Sequence, residues 1–143
     1  MEDDLAVKKR EGGGSFMAAV FDGHGGRGAA QYAKSRLFPL LETSCSHEES
    51  VKEAMRSSFL KIHSEMSSVR ESWTSTREGY LSTSGTTATV VVLQPTKLYI
   101  GNVGDSAGIL AVRGPFGKLF PKPITANHRP NNYKECQNIE QLG

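Results

Sequence analysis

Cysteine is scarce in this chain of 143 residues: Cys45 and Cys136 are the only two, far apart and without metal-ligand spacing. That excludes a disulfide-stapled scaffold or a zinc ribbon, and both thiols are expected to be reduced, as in a cytoplasmic or nuclear protein. Long hydrophobic runs are also missing. No stretch approaches the roughly 20 apolar residues of a membrane span, and the chain opens on the acidic run Glu2-Asp3-Asp4, not on a basic and then apolar signal. Charge of one sign is lacking as well, since 17 basic against 15 acidic residues leave a formal +2 with no basic block. Neither nucleic acid nor an anionic membrane is therefore expected as the main partner. What remains is 37% hydrophobic and of a size for one small soluble domain or a piece of a larger one. Its chemistry has to be sought in a local site.

Periodicity places the elements. Residues 2–9 are expected to form a short strand with Leu5 and Val7 on one face, and residues 11–14 a turn. Residues 15–21 (SFMAAVF) form a continuous apolar run that ends in Asp22 and glycines, the pattern of a buried strand opening into a tight loop. Residues 26–41 carry Ala29, Ala30, Ala33, Leu37, Leu40 and Leu41 on a helical stripe, with Pro39 fraying or bending the last turn. A second helix starts at a capping box, Ser46 with Glu49, and continues through Val51, Ala54, Met55, Phe59, Ile62 and Met66. Residues 67–84, serine- and threonine-rich around Trp73, are expected as a surface loop that contacts substrate or merely connects elements. The β-rich runs 86–93 and 98–103 predict an antiparallel hairpin, and 108–112 a third strand. Residues 113–123 read as loop and 133–142 as a last short helix. Blocks of helices followed by blocks of strands predict an α+β fold, an antiparallel sheet covered by helices.

The loop Val20-Phe21-Asp22-Gly23-His24-Gly25-Gly26-Arg27-Gly28 contains the G-x-G-x-x-G pattern of dinucleotide sites. Such a site also needs a second parallel strand ending in an acid about 20 residues on. The acid near that distance, Glu42, stands at a helix end instead, and Asp22 would face a pyrophosphate with like charge. The other use of Asp-Gly-His-Gly-Gly is to present a carboxylate and a backbone carbonyl to a cation, glycine allowing close approach. Such oxygen ligands suit Mg²⁺ or Mn²⁺. Two further acidic groups, Glu2-Asp3-Asp4 and Asp105 of Gly104-Asp105-Ser106, lie beside expected strand ends and are candidates to complete the site. Taken singly, the first is also compatible with a solvated terminus and the second with a turn.

Met1-Glu2-Asp3, Phe21-Asp22-Gly23-His24-Gly25-Gly26, Ser84-Gly85-Thr86-Thr87-Ala88 and Asn102-Val103-Gly104-Asp105-Ser106 follow one another here. Their order resembles that of the metal-dependent protein serine/threonine phosphatases, the PPM or PP2C family. The likeness continues through His128-Arg129-Pro130 and from Ile139 to Gly143, making residues 1–143 one partial domain of that type. Within the family, the Gly-Arg-Gly-Ala-Ala-Gln-Tyr-Ala segment from Gly26 and the Ser-Gly-Thr-Thr-Ala segment from Ser84 look most like the p53-induced delta-type branch. The resemblance implies a partial α-β-β-α sandwich of antiparallel sheets flanked by helices, truncated at both ends.

It further implies a hydrolase acting on phosphoserine and phosphothreonine of protein substrates, through water activated by two Mg²⁺ or Mn²⁺ ions and a weakly bound third. Asp22 would bridge the two ions, Gly23 would offer its carbonyl, Glu2 and Asp3 would hold one ion directly or through water, and Asp105 would help hold the third. His24 would be the general acid; without the motif it reads as a loop histidine bonded to the backbone. Neither cysteine lies in a phosphate-binding loop, so a cysteine nucleophile has no support. A monomer is expected. Departures from the family pattern are the lack of an arginine before Met1, the lack of two later metal-binding aspartates, and Asn127, Asn138 and Ala107 where Asp, Arg and Arg are usual. They motivate the alternative of a catalytically inactive, phosphatase-like binding module.

Overall fold

The computed structural model describes residues 2–9, 16–44 and 50–142. In chain order its strands and helices are β1 (Asp4–Lys9), β2 (Phe16–Phe21), β3 (Gly23–His24), α1 (Gly28–Ser44), α2 (Ser50–Val69), β4 (Gly85–Thr86), β5 (Ala88–Leu93), β6 (Leu98–Val103), β7 (Ile109–Arg113), β8 (Leu119–Pro123) and α3 (Tyr133–Leu142). Four strands form one antiparallel sheet of order β1-β2-β5-β6. The pairs β3-β4 and β7-β8 form two separate ribbons.

Side chains alternate across a strand, so the register decides which residues share the inner face. Ala19 pairs with Val90 and Met17 with Val92, and these join Phe21 on the side covered by α1 and α2. The helices bring Ala30, Ala33, Leu37 and Leu41 from α1, and Val51, Ala54, Met55 and Ile62 from α2. Gly101 of β6 faces α2, where a Cβ would lie 2.9 Å from both Met55 and Phe59. The absence of a side chain there lets α2 lie close on the sheet. The two helices are also joined by a forked ion pair, Arg36 Nε and Nη2 donating to the two Glu65 oxygens at 2.9 Å each, and Tyr32 Oη donates to the same carboxylate at 3.1 Å. On the opposite face Leu5 pairs with Val20, and Leu93 with Leu98, all four exposed. The run at 16–21 is thus buried on one face only.

The expected α+β arrangement of an antiparallel sheet layered with helices is observed, and local expectations differ in particular places. Helix α1 continues through Pro39 to Ser44, and the Pro39 carbonyl accepts from Thr43 Oγ1 at 2.9 Å. The run expected as one strand over 86–93 is broken at the buried Thr87: Gly85 and Thr86 pair with His24 and Gly23, and the main sheet takes up the chain from Ala88. Residues 113–123 are corrected from loop to strand over Leu119–Pro123. Pro121 and Pro123 concealed that strand, yet in a two-stranded ribbon each strand is an edge, where a missing N–H is tolerated. Helix α2 extends to Val69, and a single 3-10 turn at Arg70–Ser72 follows it into the expected loop. The expected turn at 11–14 and the Ser46–Glu49 capping box lie outside the described residues, as does Cys45; Cys136 is a free thiol.

Candidate functional site

The glycine loop leaves the sheet at the end of β2, and its position follows from the pairing of β1. Asp4 stands opposite Phe21. Continuing that register brings Asp3 beside Asp22 and Glu2 beside Gly23. The main chain agrees, since a Cβ on Gly23 would collide with the Glu2 carbonyl oxygen. The Glu2 carboxylate reaches further and accepts from the Gly26 N–H at 3.2 Å. Gly25, at φ +67°, leaves room for the Thr83 carbonyl, 2.7 Å from where a Cβ would be. The glycines here allow close approach of the loop to Glu2 and to the 82–84 segment.

Asp22 is held by its backbone. Its N–H donates to Thr87 Oγ1 at 3.2 Å, while its carbonyl accepts from the Thr87 N–H at 2.9 Å and from Thr86 Oγ1 at 3.2 Å. Thr87 Oγ1 also lies 2.7 Å from Ser106 Oγ, which ties the loop to the turn carrying Asp105. The start of α1 is secured from the same side: Ser84 Oγ accepts from the Ala29 N–H at 2.9 Å and donates to the Gly26 carbonyl at 2.6 Å. Thus Ser84, Thr86 and Thr87 position the loop, a role that their place in a serine/threonine-rich stretch did not single out.

His24 pairs with Gly85, and its imidazole lies across that residue, with Nε2 2.6 Å from where a Cβ would stand. Asp105 follows Gly104, whose φ of +97° and contact with Thr87 both call for glycine. The Asp105 carboxylate is engaged by Arg129, Nε donating to Oδ2 at 2.9 Å and Nη2 standing 2.8 Å from the same oxygen as an ion pair. Hydrogen bonding to Arg129 is the main cause that holds its pKa below the ordinary value; the Arg129 charge and the nearby His24 act the same way, and burial opposes. Arg129 was legible only as part of His-Arg-Pro, with no signal for this pairing. In the opening acidic run, Asp4 is taken by Lys34 at 2.5 Å, whose hydrogen bond lowers the Asp4 pKa.

Glu2, Asp3, Asp22, Gly23 and His24 therefore lie along one end of the sheet, and the turn carrying Asp105 is tied to the Asp22 backbone through Ser106 and Thr87. The donor set is hard oxygen, which fits Mg²⁺ or Mn²⁺, and among the described residues neither Asp3 nor Asp22 has a cationic partner. Among those residues, however, no three side chains of His, Cys, Asp or Glu converge as a complete metal cluster.

The family model described as Protein phosphatase 2C matches residues 5–143. The chain is 34% identical over 145 residues to "Probable protein phosphatase 2C 55" of Oryza sativa subsp. japonica, covering 100% of this chain and 35% of that protein. It is 35% identical over 126 residues to "Protein phosphatase 2C homolog 3" of Schizosaccharomyces pombe, covering 87% of this chain and 28% of that one. The chain spans about a third of the length of the curated relatives it matches. In fold it is similar to the crystal structure of serine-threonine phosphatase 2C from Toxoplasma gondii, with a TM-score of 0.76 at 18% identity over 99% of this chain and 50% of that one. A C. elegans sex determining protein gives 0.73 at 22% identity, over 99% and 35%.

Proposed function

Since the chain belongs to the protein phosphatase 2C family, we propose that the protein hydrolyses phosphoserine and phosphothreonine side chains of other proteins. The observation that carries this reading is the Asp22–His24 loop leaving the sheet where Asp4 pairs with Phe21, with the Glu2 carboxylate bonded to the Gly26 N–H behind it. Asp22, Asp3, Glu2 and the Gly23 carbonyl would hold Mg²⁺ or Mn²⁺, with Asp105 available to a third ion once it is released from Arg129. When bound, the cations make water a better nucleophile near neutral pH and offset the charge of the phosphate dianion.

The chain's own residues do the rest. Thr86 and Thr87 fix the Asp22 backbone and so set the point from which its carboxylate projects. His24 presents its imidazole from the loop, and imidazole is the side chain that holds or releases a proton near neutrality. As water oxygen bonds to phosphorus and the P–O bond to substrate breaks, the His24 proton passes to the departing serine or threonine oxygen. Inorganic phosphate and the free hydroxyl result. Within the family, we read the likeness of the Gly26–Ala33 segment to the delta-type branch as support for a member of that branch.

The test is hydrolysis of a phosphothreonine peptide by the intact protein in Mn²⁺. EDTA-sensitive turnover that Asp22→Ala abolishes is expected. Absence of turnover in saturating Mn²⁺ refutes the reading and leaves a binding module.

A further inference from the structure

An open cleft of about 510 Å³ runs from His24 to residues with no part in the hydrolytic roles, among them His63, Arg70 and Trp73. It is lined by Ala29, His63, Met66, Arg70 and Trp73 together with the β4 segment that pairs with His24. We infer that this cleft binds an acidic side chain of the substrate, next to the phosphorylated residue. The inference rests on the phosphatase reading and deepens it.

Three observations carry it. The first is charge: no Asp or Glu lines the cleft, whereas Arg70 and two histidines do. Among the described residues the Arg70 guanidinium has no ion-pair or hydrogen-bond partner, in contrast to Arg36 and Arg129. A carboxylate arriving there gains a charge-assisted hydrogen bond without breaking an existing pair. The second is a built wall. A Cβ on Gly28 would lie 2.6 Å from the Trp73 ring, and that ring meets Tyr32 at a centroid distance of 6.3 Å. Tyr32 is bonded to the Glu65 carboxylate that Arg36 clamps. The Trp73 N–H donates to the Arg70 carbonyl at 3.1 Å, closing the turn that sets both residues on one rim. Trp73 is thus ordered before a ligand arrives, which lowers the entropic cost of binding. The third is continuity. His24 and Thr86 line the same cleft as Arg70, and successive residues of an extended peptide are only ~3.3 Å apart, so residues flanking a phosphorylated one at His24 run along this cleft.

Trp73 supplies the readout, independent of turnover. Its emission in the intact protein, with Trp73→Phe as the blank, is titrated with phosphothreonine peptides flanked by glutamates or by lysines. The glutamate peptide is expected to bind about five- to tenfold more tightly, roughly 1 kcal/mol or slightly more at 1.4 kcal/mol per decade. Arg70→Glu should invert the order, and Arg70→Lys should keep part of it. Equal affinities, or a preference that survives Arg70→Glu, overturn the inference. So does an Arg70→Glu loss equal for both peptides, which would mean that Arg70 takes the phosphate itself. Hydrolysis of p-nitrophenyl phosphate, which has no flanking residues, is measured separately. Its absence alongside charge-selective binding would remove the phosphatase reading and keep the acidic subsite.

Discussion

Gly85→Ala separates the position of His24 from the stability of the fold. A methyl group at residue 85 would stand 2.6 Å from His24 Nε2, 3.1 Å from Cε1 and 3.3 Å from Cδ2. The first is roughly 0.9 Å inside the ~3.5 Å at which heavy atoms pack without repulsion. Gly85 is not among the residues at positive φ, so the backbone accepts alanine without strain. The clash is with the far end of an exposed side chain, which relieves it by rotating about its own torsions. Stability should therefore change little, or rise by about 0.4–1 kcal/mol from the lower entropy of the unfolded chain. Activity should not escape so lightly. An imidazole moved by about 1 Å from its donating position loses on the order of 10²-fold in rate, and complete loss of a general acid costs about 10²–10⁴-fold. We expect Gly85→Ala to lower kcat by about ten- to a hundredfold with an unchanged urea midpoint, and His24→Ala to lower it at least as far. Kinetics on a phosphothreonine peptide beside urea denaturation of the same preparations provide the check. Wild-type kcat in Gly85→Ala would refute the placement of the imidazole over residue 85.

Phe21→Ala removes one of the largest fully buried side chains, between the sheet and α1, and should cost about 3–5 kcal/mol, read as a lower urea midpoint at constant slope. Gly28→Ala drives a methyl group into the fixed Trp73 ring, and overpacking of about 1–3 kcal/mol should exceed the small helix-propensity gain at the first residue of α1; an unchanged melting temperature and Trp73 emission would count against that contact. Glu65 is held below its ordinary pKa, chiefly by hydrogen bonding to Arg36 against the opposing effect of burial. A depressed folded-state pKa contributes stability above the unfolded value and loses it as pH falls through the folded one. Glu65→Gln should therefore lower stability near neutrality and flatten the acid limb of the urea-midpoint profile, and parallel profiles of the two proteins would contradict this.

Local periodicity made the two long helices legible. The stripe from Ala29 to Leu41 and that from Val51 to Met66 each repeat at helical spacing, and their residues are the ones that meet the sheet. The hairpin across Gln94–Lys97 was legible for the same kind of reason, two β-rich runs around a short polar loop, and the Gln94 N–H does donate to the Lys97 carbonyl at 2.8 Å. Strand β8 was hidden because proline is read as a breaker, and only pairing with β7 shows that the missing N–H groups cost the ladder little. Residues 67–84 looked like a connector, yet Ser84 caps α1 and Trp73 packs on Gly28.

Residue types therefore determined, by themselves, which chemistry is possible: Asp22 beside glycines and His24, with hard oxygen donors elsewhere in the chain. The tertiary structure decided which of those donors meet. Strand register set Asp4 against Phe21 and so brought the opening acidic run alongside the Asp22 loop, whereas a turn from Gly104 delivered Asp105 to Arg129. The physical reason is range. Side-chain period and backbone preference act over a few neighbouring residues, but the contacts that assemble this site join residues tens of positions apart, and only the packed sheet and helices bring them within a hydrogen bond's reach.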